Sequence, residues 1–473
     1  MYKNALYLRQ KHRHTTSREL TQKILGALVA AALVSVVAIN QVHIGQASTA
    51  SSQSEKMPVF EVDPAWPQLP NGWVTGHVPS VAVDRRDNVW LITRPNTVPE
   101  EKRAMASPPV IELDVNGKFV QAWGGPGTGY DWPDSDHSIF VDYKDNVWIT
   151  GSSGESPSPT KRTDDMLLKF TNEGKFIAQL GGYNKSNGNA DTKSVHLATD
   201  VFVYPKTNEV FVSDGYGNRR VIVFDADTFA FKRMWGAFGN VPVDWQPIKN
   251  GMALAGPGSV ATGAAGPEAG RGGGSGQEAR PTDTTGLGPD QFGGTRPNAN
   301  QFGAMGGPTH SVQISTDGLV YVTDRLIRRL QVFTVDGKYV TQTFVNRTGP
   351  SGSSVCSTAF SPDKAQQYLY LADYGNSRIV VMDRKSLQIL YQFGGRGPAP
   401  GQFLRIHHIA VDSKGNIYTG EVAPGPRAQK FVFKGFSATP PANALTPQQI
   451  DAQVAVPASG AAGGGSGSAG LSD

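Results

Sequence analysis

Three histidines, His137, His310 and His407, hold the same place in a repeated strand–turn–strand motif, in every second copy of it. The aligned stretches are "HSIFVDYKDNVWIT", "HSVQISTDGLVYVTD" and "HHIAVDSKGNIYTG". If the copies stand round an axis, alternation places three imidazoles at three-fold positions about one channel. Three neutral imidazoles with a fourth position left open are the ligand set of a catalytic zinc site. Counting five residues back from the Asp, Tyr or Ser that ends each first strand gives Pro79, His137, Thr199, His310, Cys356 and His407 in turn. Any one histidine at a strand start could equally be a local hydrogen-bonding residue. Three of the nine falling in one register favours a metal. Cys356 shares the position in copy five and reads either as a small buried residue or as a ligand.

These residues need a ring to position them. The motif recurs from Ser80, Ser138, Asp200, Ser311, Ser357 and His408, and each copy is followed by two further strand-like stretches, such as "VIVFDADTFAFKRMWG" and "LQVFTVDGKYVTQTF". Six repeats of four strands predict an all-β chain folded as a six-bladed β-propeller over residues 57–436. Alternating apolar residues would bury each sheet face against the next blade. The early stretch Pro58–Val62 is placed to add a strand to the last blade and close the ring. Residues 254–288 read as a disordered Gly-rich insertion, and residues 437–473 as a disordered tail, because both hold too few apolar side chains to fold.

Charge and composition exclude some functions. Lys3, Arg9, Lys11, Arg13, Arg18 and Lys23 face only Glu19, a net +5 in the first 23 residues, so the rest of the chain carries about −1 of the total +4. The basic balance thus gives no support to nucleic-acid binding. Basic residues followed by the uncharged apolar run Ile24–Ile39 suit a signal peptide or N-terminal anchor over residues 1–47, with a linker at 48–56. The body is expected outside the cytoplasm, periplasmic or secreted, touching a membrane only through such an anchor. A single cysteine allows neither an intramolecular disulfide nor a thiolate cluster.

The ends of the second strands open onto one face and carry further candidates. Asp324 with Arg329, and Asp373 with Arg378, recur in plain repeats and read as ties within each turn. Arg94, Tyr216 and Arg325 are singular, and are candidates for contact with a substrate.

With these residues in place, the chain resembles peptidyl-α-hydroxyglycine α-amidating lyase and its bacterial NHL-repeat relatives. The resemblance rests on "VFVSDGYGNRRVIVF" together with histidine-led strands in alternate repeats, and covers most of residues 74–436 outside the insertion. It implies NHL-type blades and a zinc ion held by His137, His310 and His407. It also implies a catalytic tyrosine at Tyr216 in "SDGYGN", with active-site arginines at Arg94 in "LITRP" and Arg325 in "VTDRL". The implied reaction splits a peptidyl α-hydroxyglycine into a peptide amide and glyoxylate, so the partner would be a small-molecule or peptide substrate. A phenol ordinarily titrates near pH 10, so Tyr216 would need help from the metal and the arginines to act as a base. Two positions depart from the family. Arg405 stands where it has a methionine, and His408 where it has an acidic residue linked to calcium, which argues against calcium here. Two other readings stay open: a propeller that only binds a peptide, glycan or protein, and a hydrolase of the lactonase type. The latter needs carboxylate ligands that the inner positions lack.

Overall fold

The computed structural model describes residues 56–70, 72–153, 162–244, 301–303, 308–346 and 354–446, together with Gln449 and the backbone of the short strands Ile248–Lys249 and Met252–Ala253. The expected signal or anchor, the insertion and the tail beyond residue 446, save Gln449, lie outside the described residues. Among the described residues no helix is long and apolar enough to cross a membrane.

Six four-stranded antiparallel sheets form the blades of a β-propeller. Their innermost strands are His77–Val83, Asp136–Val141, Asp200–Tyr204, Thr309–Ile314, Val355–Phe360 and Ile406–Val411, here blades 1 to 6 in order. Each packs against the next, and the sixth returns to the first.

In blades 1, 2 and 6 the motif's terminal Asp explains the tight turn after the inner strand. Asp84 Oδ1 accepts the backbone N–H of Arg86 and Asn88, and Asp142 and Asp412 make the same pair of bonds in blades 2 and 6. The other carboxylate oxygen accepts from the second strand: Trp90 Nε1 at 3.2 Å, Trp148 Nε1 at 2.9 Å and the Tyr418 hydroxyl at 3.0 Å. One carboxylate thereby fixes both the turn and a large core side chain. Between blades the alternate residues pack as expected. Trp90, Ile92 and Val110 of blade 1 meet Ile139, Ile149, Met166 and Phe170 of blade 2, and full burial of one such side chain is worth about 1.5–3 kcal/mol.

The ring closes through the strand Met57–Asp63, which pairs with Arg427–Ser437 and becomes the outer strand of blade 6. Phe60 stacks on Phe393 of blade 5 with ring centres 5.7 Å apart, and the Tyr391 hydroxyl donates to Pro58 O. Asn443 Nδ2 donates to Phe60 O and Leu445 N to Gln392 O, so the chain stays attached to the last blades for several residues past the final strand.

Candidate metal centre and its rim

Each inner strand except that of blade 3 carries a register irregularity at its start. In blade 4 Thr309 pairs with Asp324 and Ser311 with Thr323, which leaves His310 as the extra residue of a β-bulge. Blade 6 bulges at His407 and blade 5 at Cys356. In blade 2 the shift spans His137 and Ser138. A regular strand sends its side chains alternately into the two neighbouring blades, and a bulge breaks that alternation. Three imidazoles therefore turn toward the axis instead of joining the apolar layers.

All three histidines are fully buried. Their ring centres lie 4.6, 4.9 and 5.0 Å apart, and ligand nitrogens from all three fall within 4.8 Å of one another. The Nδ1 of His137 lies 2.7 Å from Thr199 O, that of His310 2.9 Å from Cys356 O, and that of His407 2.6 Å from Pro79 O. A carbonyl oxygen can only accept, so each Nδ1 carries the proton and each Nε2 keeps a lone pair directed inward. The even blades supply the rings, and the odd blades supply the carbonyls that orient them, from the same register position.

On the inward side acceptor faces acceptor. His310 Nε2 and His407 Nε2 are 3.2 Å apart, two acceptors facing each other, and His137 Nε2 has no hydrogen-bond partner among the described residues. Leaving a buried acceptor unmet costs about 1–3 kcal/mol, and a cation at the centre would satisfy all three. Burial, then the repulsion that a protonated His407 would exert, holds His137 and His310 well below the usual histidine range. Arg94 adds to this on the His137 side and Arg325 on the His310 side. Neutral imidazole is the ligating form. The three buried histidines can therefore form a metal site.

Aromatic and cationic side chains make up the rim. Tyr216 is half-buried, with its ring centre 5.3 Å from that of His137 and 6.1 Å from that of His310. Two glycines let its loop press against the ring. A Cβ on Gly215 would sit 1.8 Å from Thr309 O, and one on Gly217 would sit 1.9 Å from the His196 ring. Arg325 is buried, and its Nη1 donates to the Tyr216 hydroxyl at 3.3 Å. Arg94, also buried, donates from Nε to Asp136 O at 2.7 Å, which anchors it beside His137. All six residues singled out in the sequence thus gather at one end of the channel.

Other positions settle differently. Cys356 Sγ packs with Tyr374 and Val422 and lies 3.3 Å from His310 Nδ1, while its carbonyl orients that ring. His408 stands outside the trio. It belongs to a second layer one residue further along the strands, with Ser80, Ser138, Asp200, Ser311 and Ser357. There its Nε2 is 3.7 Å from Asp200 Oδ1, and Asp200 also accepts from the Ser138 hydroxyl and Val312 N. Tyr374 was not singled out from the sequence, although "LADYGNSR" places an aromatic beside a Gly-Asn turn much as "SDGYGNRR" does. Its ring centre is 6.1 Å from that of His407.

No protein-family model matches the chain, and no curated protein matches it. Lyase propellers are among the solved structures that align with the chain. A streptogramin B lyase aligns at 9% identity and a TM-score of 0.43, covering 79% of this chain and 98% of the other. A catalytically inactive variant of virginiamycin B lyase from Staphylococcus aureus, bound to quinupristin, aligns at 11% identity and a TM-score of 0.39, covering 80% and 89%. At these values the likeness carries no argument about the site or its reaction.

Proposed function

We propose that the chain is an exported, zinc-dependent lyase of the amidating-lyase type, which breaks a C–N bond next to a hydroxylated carbon. The observation that supports this most is the set of three inward Nε2 lone pairs with a phenol and two guanidiniums at one side. His137, His310 and His407 would hold the ion and leave a fourth position for substrate. Zinc there would supply Lewis acidity toward the substrate hydroxyl. Tyr216 takes the hydroxyl proton as its phenolate, and Arg325, donating to that oxygen, stabilises the negative charge it carries until the proton arrives. Arg94 holds the carboxylate next to the reacting carbon, as a guanidinium does best with two parallel bonds. The C–O bond gains its second electron pair as the C–N pair leaves with the amide nitrogen. The proton held by Tyr216 goes to that nitrogen, so amide and glyoxylate form with no other reactant. Export rests on the basic and apolar N-terminal residues.

The test is metal analysis joined to an assay. The full chain, incubated with zinc and desalted, is expected to retain one ion and to release glyoxylate from an N-acyl-α-hydroxyglycine. Zinc without glyoxylate keeps the centre and discards the substrate. No retained metal discards both.

A further inference from the structure

Two residues past the layer that holds His408, the six inner strands line one cavity with side chains of unequal size. Blades 2, 3 and 4 place Phe140, Phe202 and Gln313 there, and blades 5, 6 and 1 place Ala359, Ala410 and Ala82. Three alanines cannot fill the space that two phenyl rings and an amide fill opposite them, and a cavity of about 220 Å³ results. The Phe140 and Phe202 rings stand 5.0 Å apart, centre to centre, on its wall.

The end of the cavity toward the metal centre is polar. Asp200 and Thr358 are 1% exposed and His408 is 3% exposed, and all three line the space. Asp200 accepts from neutral donors: the Ser138 hydroxyl at 2.8 Å, Val312 N at 3.1 Å and Gln313 Nε2 at 3.4 Å. His408 Nε2 lies 3.7 Å from Asp200 Oδ1, beyond hydrogen-bond reach. Neither that nitrogen nor Thr358 Oγ1 has a hydrogen-bond partner among the described residues. Ser357 Oγ lies 3.4 Å from His408 Nδ1 and can accept its N–H, which leaves Nε2 as an acceptor. A carboxylate oxygen, an imidazole nitrogen and a hydroxyl oxygen thus meet one space, and each can accept. A primary ammonium carries three donors and no acceptor, which suits them. Its charge strengthens the bond to the carboxylate about twofold over a neutral donor.

We propose that this cavity binds a small organic cation, a primary ammonium on a compact apolar body. The ammonium sits among Asp200, His408 and Thr358, and the body lies against the three alanines. The site is separate from the metal centre, and the proposal does not depend on the reaction there.

Cyclohexylammonium and cyclohexanol share a ring and differ in the head group. Calorimetric titration of the zinc-incubated full chain at neutral pH is expected to show the ammonium binding at least about tenfold more tightly. Asp200→Asn should abolish that preference. Ala410→Leu, which fills the open side, should weaken ammonium binding by at least about tenfold. Equal affinities, or no binding of either compound, in the unaltered protein overturns the proposal. So does a preference that survives Asp200→Asn. Undiminished ammonium binding in Ala410→Leu would place the compound elsewhere, at the zinc for instance, and overturns it too. If Asp200→Asn folds poorly, the unaltered protein and Ala410→Leu decide without it.

Discussion

Two sets of buried polar side chains recur round this ring, and they are satisfied in opposite ways. At the ends of the second strands Asp214 meets Arg220 at 2.8 Å and Asp324 meets Arg329 at 3.0 Å, with all four side chains fully buried. Arg220 directs its remaining N–H groups to the carbonyls of Asn189, Asp191 and Ser194. Asp373, opposite Arg378 in the strand pair, accepts from Asn346 and Asn376. At the inner strands the three imidazoles have their donors met by carbonyls and their acceptors turned toward one another. In the first set donor meets acceptor; in the second His310 Nε2 faces another acceptor, and His137 Nε2 has no hydrogen-bond partner among the described residues. Recurrence by blade is common to both, so recurrence does not separate structure from function. The balance of donors and acceptors does.

Breaking the first set should cost the fold. Asp214→Ala leaves the Arg220 charge buried and unpaired, and a loss of about 3–5 kcal/mol is expected in denaturant unfolding. A loss near zero would show that the pair does not tie the turn as its geometry describes. Breaking the second set should cost the metal instead. Zinc at a thousand times its Kd adds about 4 kcal/mol to stability, and His137→Ala or His310→Ala should abolish that increment and the bound ion together. If the melting temperature of either variant still rises with zinc, the ion sits elsewhere.

The rim offers a narrower test. Tyr216→Phe is expected to keep the zinc and to slow glyoxylate release by about 10²–10⁴-fold, the usual range for a proton-transfer group. Unchanged turnover would remove Tyr216 from the reaction, and an intact biological effect without turnover would favour the binding propeller.

The pH dependence of the metal-free protein has a definite sign. His137 and His310 titrate well below their ordinary range when folded, while the unfolded chain takes up protons near pH 6.5. As pH falls below about 6.5 the unfolded state binds more protons, so stability that is full above that value is lost toward the folded pKa, by up to about 1.4 kcal/mol per unit for each ring. Unfolding curves from pH 8 down to 5 measure this, and a flat profile would mean that the rings are not buried neutral. The smallest effect is expected at Cys356→Ala: about 1 kcal/mol of packing and no change in zinc, because the carbonyl that orients His310 remains. Loss of zinc there would make the thiol a ligand.

Much of the ring was legible because its signals are side chains at fixed offsets. The Asp turns, the alternating apolar strands and the histidine register all follow from residue type and spacing. The devices that aim the histidines did not show. A bulge at His310 is a mismatch between two strands, visible only when Thr309 and Ser311 are seen against Asp324 and Thr323. The carbonyls of Pro79, Thr199 and Cys356 belong to the backbone, and three unlike residues do the same work with the same atom. Tyr374 escaped notice because its turn lacks the glycine that precedes Tyr216. Arg405 stood out only as a departure from a family pattern, and its place over Tyr374 depends on contacts between blades that are distant in sequence.

The bond from His407 to Pro79 spans 328 positions and crosses the seam where the first and last blades meet. Residues Met57–Asp63 must also wait for the far end of the chain before they find their partner strand. A ribosome that has delivered five blades has therefore made two of the three rings and none of the seam. The third ring acquires its aim only when the circle shuts, so capture of an ion can act as a receipt for a finished molecule.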